Sequence, residues 1–531
     1  MGKNDPVTVI PAKAGIECEG PQILANMPLM GAVFLLYLVY VAYLPAFRGG
    51  FVWDDITITS DVRLTDFSGL WRIWSEPASN PAEIHYWPLT YTTFWIEYQM
   101  WGYRPLGYHA TNVTLHALNC VLLLTLFRKL KVPGSWFAAA VYSVHPVHVE
   151  SVAWIIERKG LLSGFFFLLA LLTYLSFAGS RRLTSYFLSL GLFVCSVLSK
   201  STTVVFPVAV IVCLWGERGN VRMKDLRNIV PFLGIATLFS TVAVLSAARA
   251  NVLESEQVWN KVSIACISLC FYAWKVLYPV NLAPLYPFRD PQLVPSPYYG
   301  GCLALVGSAF LGAWLLRGRM SRGPIVAVLL FVLLLLPTLG FVSFVSKEMP
   351  LVADRYQYLA SAALIALLVA ILGANFPRLT GLHAIMARPA ASLVLISLAV
   401  LTWRQSCVYE NEETFWRYTI SKNTRAWLAY NNLGRALIQK GNLDEALRCY
   451  RTVQTLRPES AFPYYNAGCV LAMQGRIEGA ISELREAIRI EPQDAMARQK
   501  LEGLLRLSGK GSSDTVENAS ASPGWTRPVR H

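Results

Sequence analysis

Met27-Pro-Leu-Met-Gly-Ala-Val-Phe-Leu-Leu-Tyr-Leu-Val-Tyr-Val-Ala-Tyr-Leu-Pro-Ala-Phe47 is an uninterrupted apolar run long enough to cross a bilayer as a helix, and its recurrence decides the fold. Comparable runs lie near 109–127, 132–149, 160–178, 184–199, 201–216, 229–248, 298–316, 324–345, 358–376 and 391–405, which predicts about 11 spans. With 54% of its 531 residues hydrophobic and 15% charged, the chain is all-α and polytopic. The first run is too long for the apolar core of a signal peptide, and no small-residue cleavage site precedes Arg48. Residues 1–26 are therefore expected to be a cytoplasmic leader before a retained anchor.

A net charge of +14 would suit a nucleic-acid partner, but its distribution excludes one. The cations gather in short connections: Arg128, Lys129 and Lys131; Arg181 and Arg182; Arg218, Arg222, Lys224 and Arg227; Arg317, Arg319 and Arg322; Arg378 and Arg388. This positive-inside pattern reports orientation. The ten cysteines show no metal-ligand spacing and no disulfide framework.

Just beyond the first span, Phe51-Val-Trp-Asp54-Asp55-Ile56 places two adjacent carboxylates at the membrane boundary. One can accept a proton from an incoming hydroxyl while the other orients it or holds a divalent metal. Asp55 opens the polar run and is the expected base, with Asp54 in support. The loop 48–108 that follows is rich in Trp and Tyr and is expected to lie at the interface in amphipathic pieces.

Polar groups also punctuate the spans. His109, Asn112, His116 and Asn119 fall within roughly a quarter of a helix circumference, a stripe that must face protein or a wet cavity. His145-Pro-Val-His148-Val-Glu150 lacks a third metal ligand at a recognisable interval. Arg158 and Lys159 lie opposite the basic clusters, where a lipid-borne phosphate would employ them. Lys200, alone in a turn, either snorkels to the surface or meets a phosphate. In Asp354-Arg355-Tyr356, the arginine suits a phosphate clamp and the neighbouring acid a surface ion pair. The segment 249–297 contains an apolar stretch, 262–278; charge parity favours a re-entrant or interfacial helix there.

The C-terminal part is soluble and repetitive. Tyr430, Leu433, Gly434, Leu437, Ala446, Tyr450 and Pro458 return 34 residues later as Tyr464, Ala467, Gly468, Leu471, Ala480, Leu484 and Pro492, the tetratricopeptide period. Full repeats are expected at 427–460 and 461–494, with a helix on either side completing a domain at 408–507 and a disordered tail at 508–531. Span parity puts this domain on the Asp54 side.

Taken as an ordered set, the Asp54-Asp55 loop, Tyr108-His109-Ala-Thr-Asn112-Val-Thr-Leu-His116, His145-Pro-Val-His148-Val-Glu150-Ser, Glu157-Arg158-Lys159-Gly160, Asn281-Leu-Ala-Pro284, Asp354-Arg355-Tyr356 and the repeats resemble the transmembrane and tetratricopeptide repeat O-mannosyltransferases and their prokaryotic relatives. The resemblance covers residues 27–506 and implies a GT-C class glycosyltransferase domain at 27–407. It implies inverting transfer of mannose or a related hexose from a polyprenyl-phosphate carrier to a hydroxyl, on the extracytoplasmic side of a prokaryotic cytoplasmic or eukaryotic endoplasmic reticulum membrane. A protein or peptide acceptor would dock on the repeats. Asp54 or Asp55 would be the base; Arg158, Lys159, Arg355 and Lys200 the phosphate ligands; and His109, Asn112, His116, His148, Glu150 and Asp354 the support. The chain departs from its relatives at Ser199-Lys200-Ser201, which has no acid after the lysine, and in its short repeat array. Two competing classes are a membrane-anchored repeat scaffold, which gives no role to intramembrane His and Asn, and a lipid-linked sugar transporter, which gives none to adjacent acids in a long loop.

Overall fold

The computed structural model describes residues 29–76, 85–249, 258–287, 296–316, 321–341, 351–375 and 382–510. The leader, Arg317, Arg319, Arg378 and the tail beyond Lys510 lie outside the described residues. Those described form helices joined by turns, with no strand among them.

Five stretches are long and apolar enough to cross a membrane: Pro105–Lys129, Ile155–Ser180, Ser201–Arg218, Met223–Arg249 and Arg388–Tyr409. Shorter apolar helices, Met30–Ala42, Leu183–Ser199, Gly300–Ala309, Gly323–Thr338 and Ala360–Gly373, pack with them. Pro105–Lys129 and Ile155–Ser180 form the centre, since 67% and 72% of their apolar windows are buried, against 17% for Met223–Arg249 and Arg388–Tyr409 at the periphery. Helices 158–180 and 183–199 form a tight antiparallel pair because Arg181 turns the chain at φ 57. Ser189 Oγ then reaches Ala170 O and Ser196 Oγ reaches Ser163 O, each at 2.8 Å, the close hydroxyl contacts that hold helices together where lipid offers no hydrophobic drive.

Two expected elements differ. The run at 132–149 is no continuous span: helix Ser135–Ser143 has 9 residues and gives way to a 3-10 turn at Pro146–His148. At about 1.5 Å per residue it covers less than half of a bilayer core. Proline at 146 breaks it, and the stretch is buried inside the bundle. Of the two forms expected for 262–278, re-entrant or interfacial, the re-entrant one is not seen: residues 262–277 lie within one unbroken helix, Val258–Leu277.

The described parts of the loop, 48–76 and 85–108, carry helices that pack on the bundle. Helix Phe67–Ser75, capped by Asp66, exposes Phe67 and Trp71 and buries Ile73. Helix Pro88–Trp101 buries Tyr91, Phe94 and Trp95.

Helices Glu412–Lys422, Trp427–Gln439, Leu443–Leu456, Phe462–Met473, Ile477–Ile490 and Ala495–Lys510 build the repeat domain. The recurring glycines are close-approach positions: a Cβ on Gly434 would lie 2.8 Å from the Tyr450 ring, and one on Gly468 would lie 3.0 Å from Leu484. The domain docks on the bundle through Gly50 N to Glu410 O at 2.9 Å, Tyr418 Oη to Leu282 O at 2.8 Å and Lys422 Nζ to Asn281 Oδ1 at 3.1 Å. It therefore shares a face with Asp54.

Candidate active site

Trp53 adopts φ 51, a left-handed backbone that a bulky residue holds only when its surroundings over-determine it. Its ring stacks on Trp154, centroids 4.7 Å apart and 7° from parallel, while the Trp154 indole N–H donates to Val52 O at 3.2 Å. The kink sends the two acids different ways. Asp55 is fully buried, its Oδ2 accepting from Val52 N at 2.9 Å and its Oδ1 from Ile156 N at 2.8 Å. Asp54 stays partly exposed. The expectation that Asp55 is the more exposed carboxylate is corrected: Asp55 is buried and fastens the loop, and Asp54 is the partly exposed one of the two.

Burial pushes the Asp55 carboxyl from 3.8 up to about 8, against the opposing pull of the two backbone N–H donors. The closed loop thus keeps a proton that an opened loop releases. Closure is most favourable at low pH, weakens through the window from about 4 to 8, and levels off above it. Amide exchange at residues 51–56, corrected for intrinsic chemistry, is expected to show opening that rises by up to about tenfold per pH unit within that window. A flat profile would mean that Asp55 is already ionised when the loop is closed.

A cation cluster adjoins the loop. Glu157, on a 3-10 turn that opens the Arg158–Ser180 helix, receives Lys200 Nζ at 3.1 Å and Lys159 Nζ at 3.3 Å, with Arg355 Nε at 3.6 Å. Arg355 also grips Glu150 through Nη1 at 2.6 Å and its own backbone N–H at 2.8 Å. Its guanidinium lies 5.4 Å from the Trp154 ring centre and 6.0 Å from that of Trp53. Lys159 sits 4.7 Å over Trp87. Lys200 is therefore no snorkelling surface residue; it is buried against Glu157, which supplies a carboxylate where the lysine turn itself has none.

Arg158 is a correction. Its side chain is fully buried and bonded to Glu97, to Asn112 Oδ1 at 2.8 Å and to Tyr108 O at 2.7 Å, with the guanidinium 4.8 Å over Phe94. These contacts make it a strut between helices, with no face left for a donor phosphate. The polar stripe faces protein and is mostly bonded there: His116 to Tyr358 Oη at 2.9 Å and Ser143 O at 3.1 Å, Asn112 to Trp154 O at 3.2 Å, Asn119 to Leu161 O at 3.0 Å. His109 packs against Gly49, and neither of its ring nitrogens has a hydrogen-bond partner among the described residues. His148 bonds Tyr142 O at 2.9 Å and Ser361 Oγ at 2.8 Å, an internal brace. Asp354 does not pair with Arg355 at the surface. It is buried and accepts from Tyr286 Oη at 2.8 Å, because Glu150 has claimed the arginine.

Among the described residues no three His, Cys, Asp or Glu side chains converge as metal ligands. Beside the acid loop, Lys159, Lys200 and Arg355 face Glu157 and Glu150, so cations and carboxylates alternate there. Glu157, Glu97 and the Trp53–Trp154 stack were not singled out as site residues from sequence. The contiguous Glu157-Arg158-Lys159 was the available signal for the first.

Comparison with known proteins bears on this arrangement. The families described as TPR repeat and tetratricopeptide repeat match residues 434–475 and 463–494. Human protein O-mannosyl-transferase TMTC3 is 23% identical over 526 residues, 88% of this chain and 56% of that protein. Protein O-mannosyl-transferase F38B6.6 of Caenorhabditis elegans is 26% identical over 466 residues, 80% and 62% respectively. Human protein O-mannosyl-transferase TMTC4 reaches 35% over 157 residues, 25% of the chain and 21% of that protein. The chain spans a little over half the length of the first of these relatives. Along most of its own length, then, this chain, helical throughout its described residues and carrying C-terminal tetratricopeptide repeats, is similar to the protein O-mannosyl-transferases.

Proposed function

We propose that the chain is a membrane glycosyltransferase that moves a mannosyl or related hexosyl group from a polyprenyl-phosphate carrier to a hydroxyl of a protein acceptor. The observation that supports it is the convergence of Lys159, Lys200 and Arg355 on Glu157, with Arg355 beside the Trp53 ring of the acid loop. The relatives' names supply the sugar and the linkage.

In this reading the acceptor hydroxyl attacks the anomeric carbon from the face opposite the phosphate. Asp54 takes the hydroxyl proton as the new C–O bond forms. The bond from the anomeric carbon to phosphate oxygen breaks, and the electron pair leaves with the polyprenyl phosphate. The cation cluster stabilises the charge gathering on that oxygen. Configuration inverts because attack and departure lie on opposite faces. The repeats, which share the Asp54 face, would receive the acceptor on the extracytoplasmic side.

The test is incubation of purified protein with radiolabelled polyprenyl-phosphate sugars and acceptor peptides. Transfer of label supports the reading; its absence with every donor, while the protein binds peptide, would favour the scaffold class. Lys159 is the most exposed cation of the cluster, at 14% of its side chain against 12% for Arg355 and 11% for Lys200. Lys159→Ala is expected to weaken donor binding about ten- to over a hundredfold, the value of one charge-assisted contact at about 1.5–3 kcal/mol. Direct binding of labelled donor measures it, and unchanged affinity would take Lys159 out of the phosphate site.

A further inference from the structure

The acid loop is held from two sides, and only one belongs to the membrane bundle. On the bundle side, Trp154 stacks on Trp53 and Ile156 N anchors Asp55. On the other side stands the first helix of the repeat domain, Glu412–Lys422, started by Asn411, whose Oδ1 accepts from Thr414 N at 3.0 Å. Trp416 meets the Trp53 ring edge-on, centroids 5.6 Å apart at 67°, and Phe415 lies 6.0 Å from it. Phe415 is in turn fixed by Tyr409 at 5.2 Å and by Trp416 at 4.8 Å. Four residues before Asp54, Gly50 N donates to Glu410 O at 2.9 Å.

Trp416 is fully buried, and its indole N–H has no hydrogen-bond partner among the described residues. A buried donor left unmade is unfavourable, so the ring is kept for its contact and not for its polar end. The contact falls on the residue with the left-handed backbone, immediately before Asp54. Such a conformation relaxes when one of its walls is removed. The same helix reaches the opposite flank of the site, since Tyr418 Oη donates to Leu282 O and Lys422 Nζ to Asn281 Oδ1. That strap carries Tyr286, which holds Asp354 next to Arg355.

We propose that Trp416 is a positioning residue for the transfer reaction: the repeat domain's first helix completes the clamp that holds Trp53 in its strained turn and so aims Asp54. The repeats are then part of the catalytic apparatus as well as a surface beside it. The effect on turnover rests on the glycosyltransferase reading; the clamp itself does not.

The experiment uses the full chain with Trp416→Ala and Trp416→Phe. Amide exchange in residues 50–56 is expected to rise at least tenfold in the Ala variant and less in the Phe variant, with protection across 443–490 kept. In the transfer assay kcat should fall tenfold or more while donor KM holds, and Phe should restore part of the loss. Wild-type exchange at 50–56 in the Ala variant overturns the proposal, as does a fall in donor affinity that accounts for the whole loss of rate. Should Ala loosen the repeats as a whole, the Phe variant decides: increased exchange confined to 50–56 supports the clamp, and exchange there equal to wild type overturns it. If the unmodified protein transfers no sugar from any donor, the glycosyltransferase reading fails, and the exchange result alone judges the clamp.

Discussion

Replacing Asp54 with Asn is expected to lower kcat by about 10²–10⁴-fold, the range that general-base assistance supplies. The substitution keeps size and most hydrogen bonding but cannot take the acceptor proton. Donor affinity should hold, because the proposed phosphate ligands are Lys159, Lys200 and Arg355. Asp55→Asn should behave differently. Asp55 uses both oxygens as acceptors for Val52 and Ile156 N–H, and an amide nitrogen facing either donor would break that bond. Its defect is therefore expected as faster amide exchange at 51–56, with a smaller kcat loss that follows from loop opening. Single-turnover transfer alongside donor binding separates the two. Equal loss of rate in both variants, without any change in loop exchange, would return the base to Asp55.

Removing Arg158 is expected to destabilise the bundle by about 3–5 kcal/mol, because it strands Glu97 as an uncompensated buried charge. Glu97 is 4% exposed, and its other bond is from Thr111 Oγ1 at 2.5 Å. Thermal unfolding in detergent, read by tryptophan fluorescence, should show the loss in Arg158→Met. The double variant Arg158→Met with Glu97→Gln should recover much of it, since no net charge is then left inside. Arg158→Lys is expected to fall between, a single ammonium being unable to reach Glu97, Asn112 and the Tyr108 carbonyl together. A variant that keeps full stability yet loses donor affinity would reinstate Arg158 as the phosphate ligand its motif suggests.

What sequence could disclose depended on how local the signal was. Span-length apolar runs and a 34-residue period are carried by neighbouring residues, so the helical bundle and the repeats were both legible. Partners far apart in the chain were not. Lys200 finds Glu157 43 residues back, and nothing beside Ser199-Lys200-Ser201 announces it. Neighbouring positions also part company in ways that hydropathy does not record. Arg158 and Lys159 start the same helix about 100° apart, so one turns into the bundle and the other toward the site. Asp54 and Asp55 diverge on a 3-10 turn that begins at a left-handed tryptophan, a conformation no propensity would assign to that residue.

The pairing of Glu150 with Arg355 has a consequence for how the protein is made. The two lie 205 residues apart, so at about 5–20 residues per second roughly 10–40 s of translation separate them. During that interval the nascent chain holds Glu150 without its guanidinium, and Glu157 without one of its three cations. The pocket closes only after the segment at 351–358 has been delivered and threaded back to the early helices. A chain that ends before residue 355 therefore keeps Glu157 paired with Lys159 and Lys200 but leaves the buried Glu150 without the guanidinium that neutralises it.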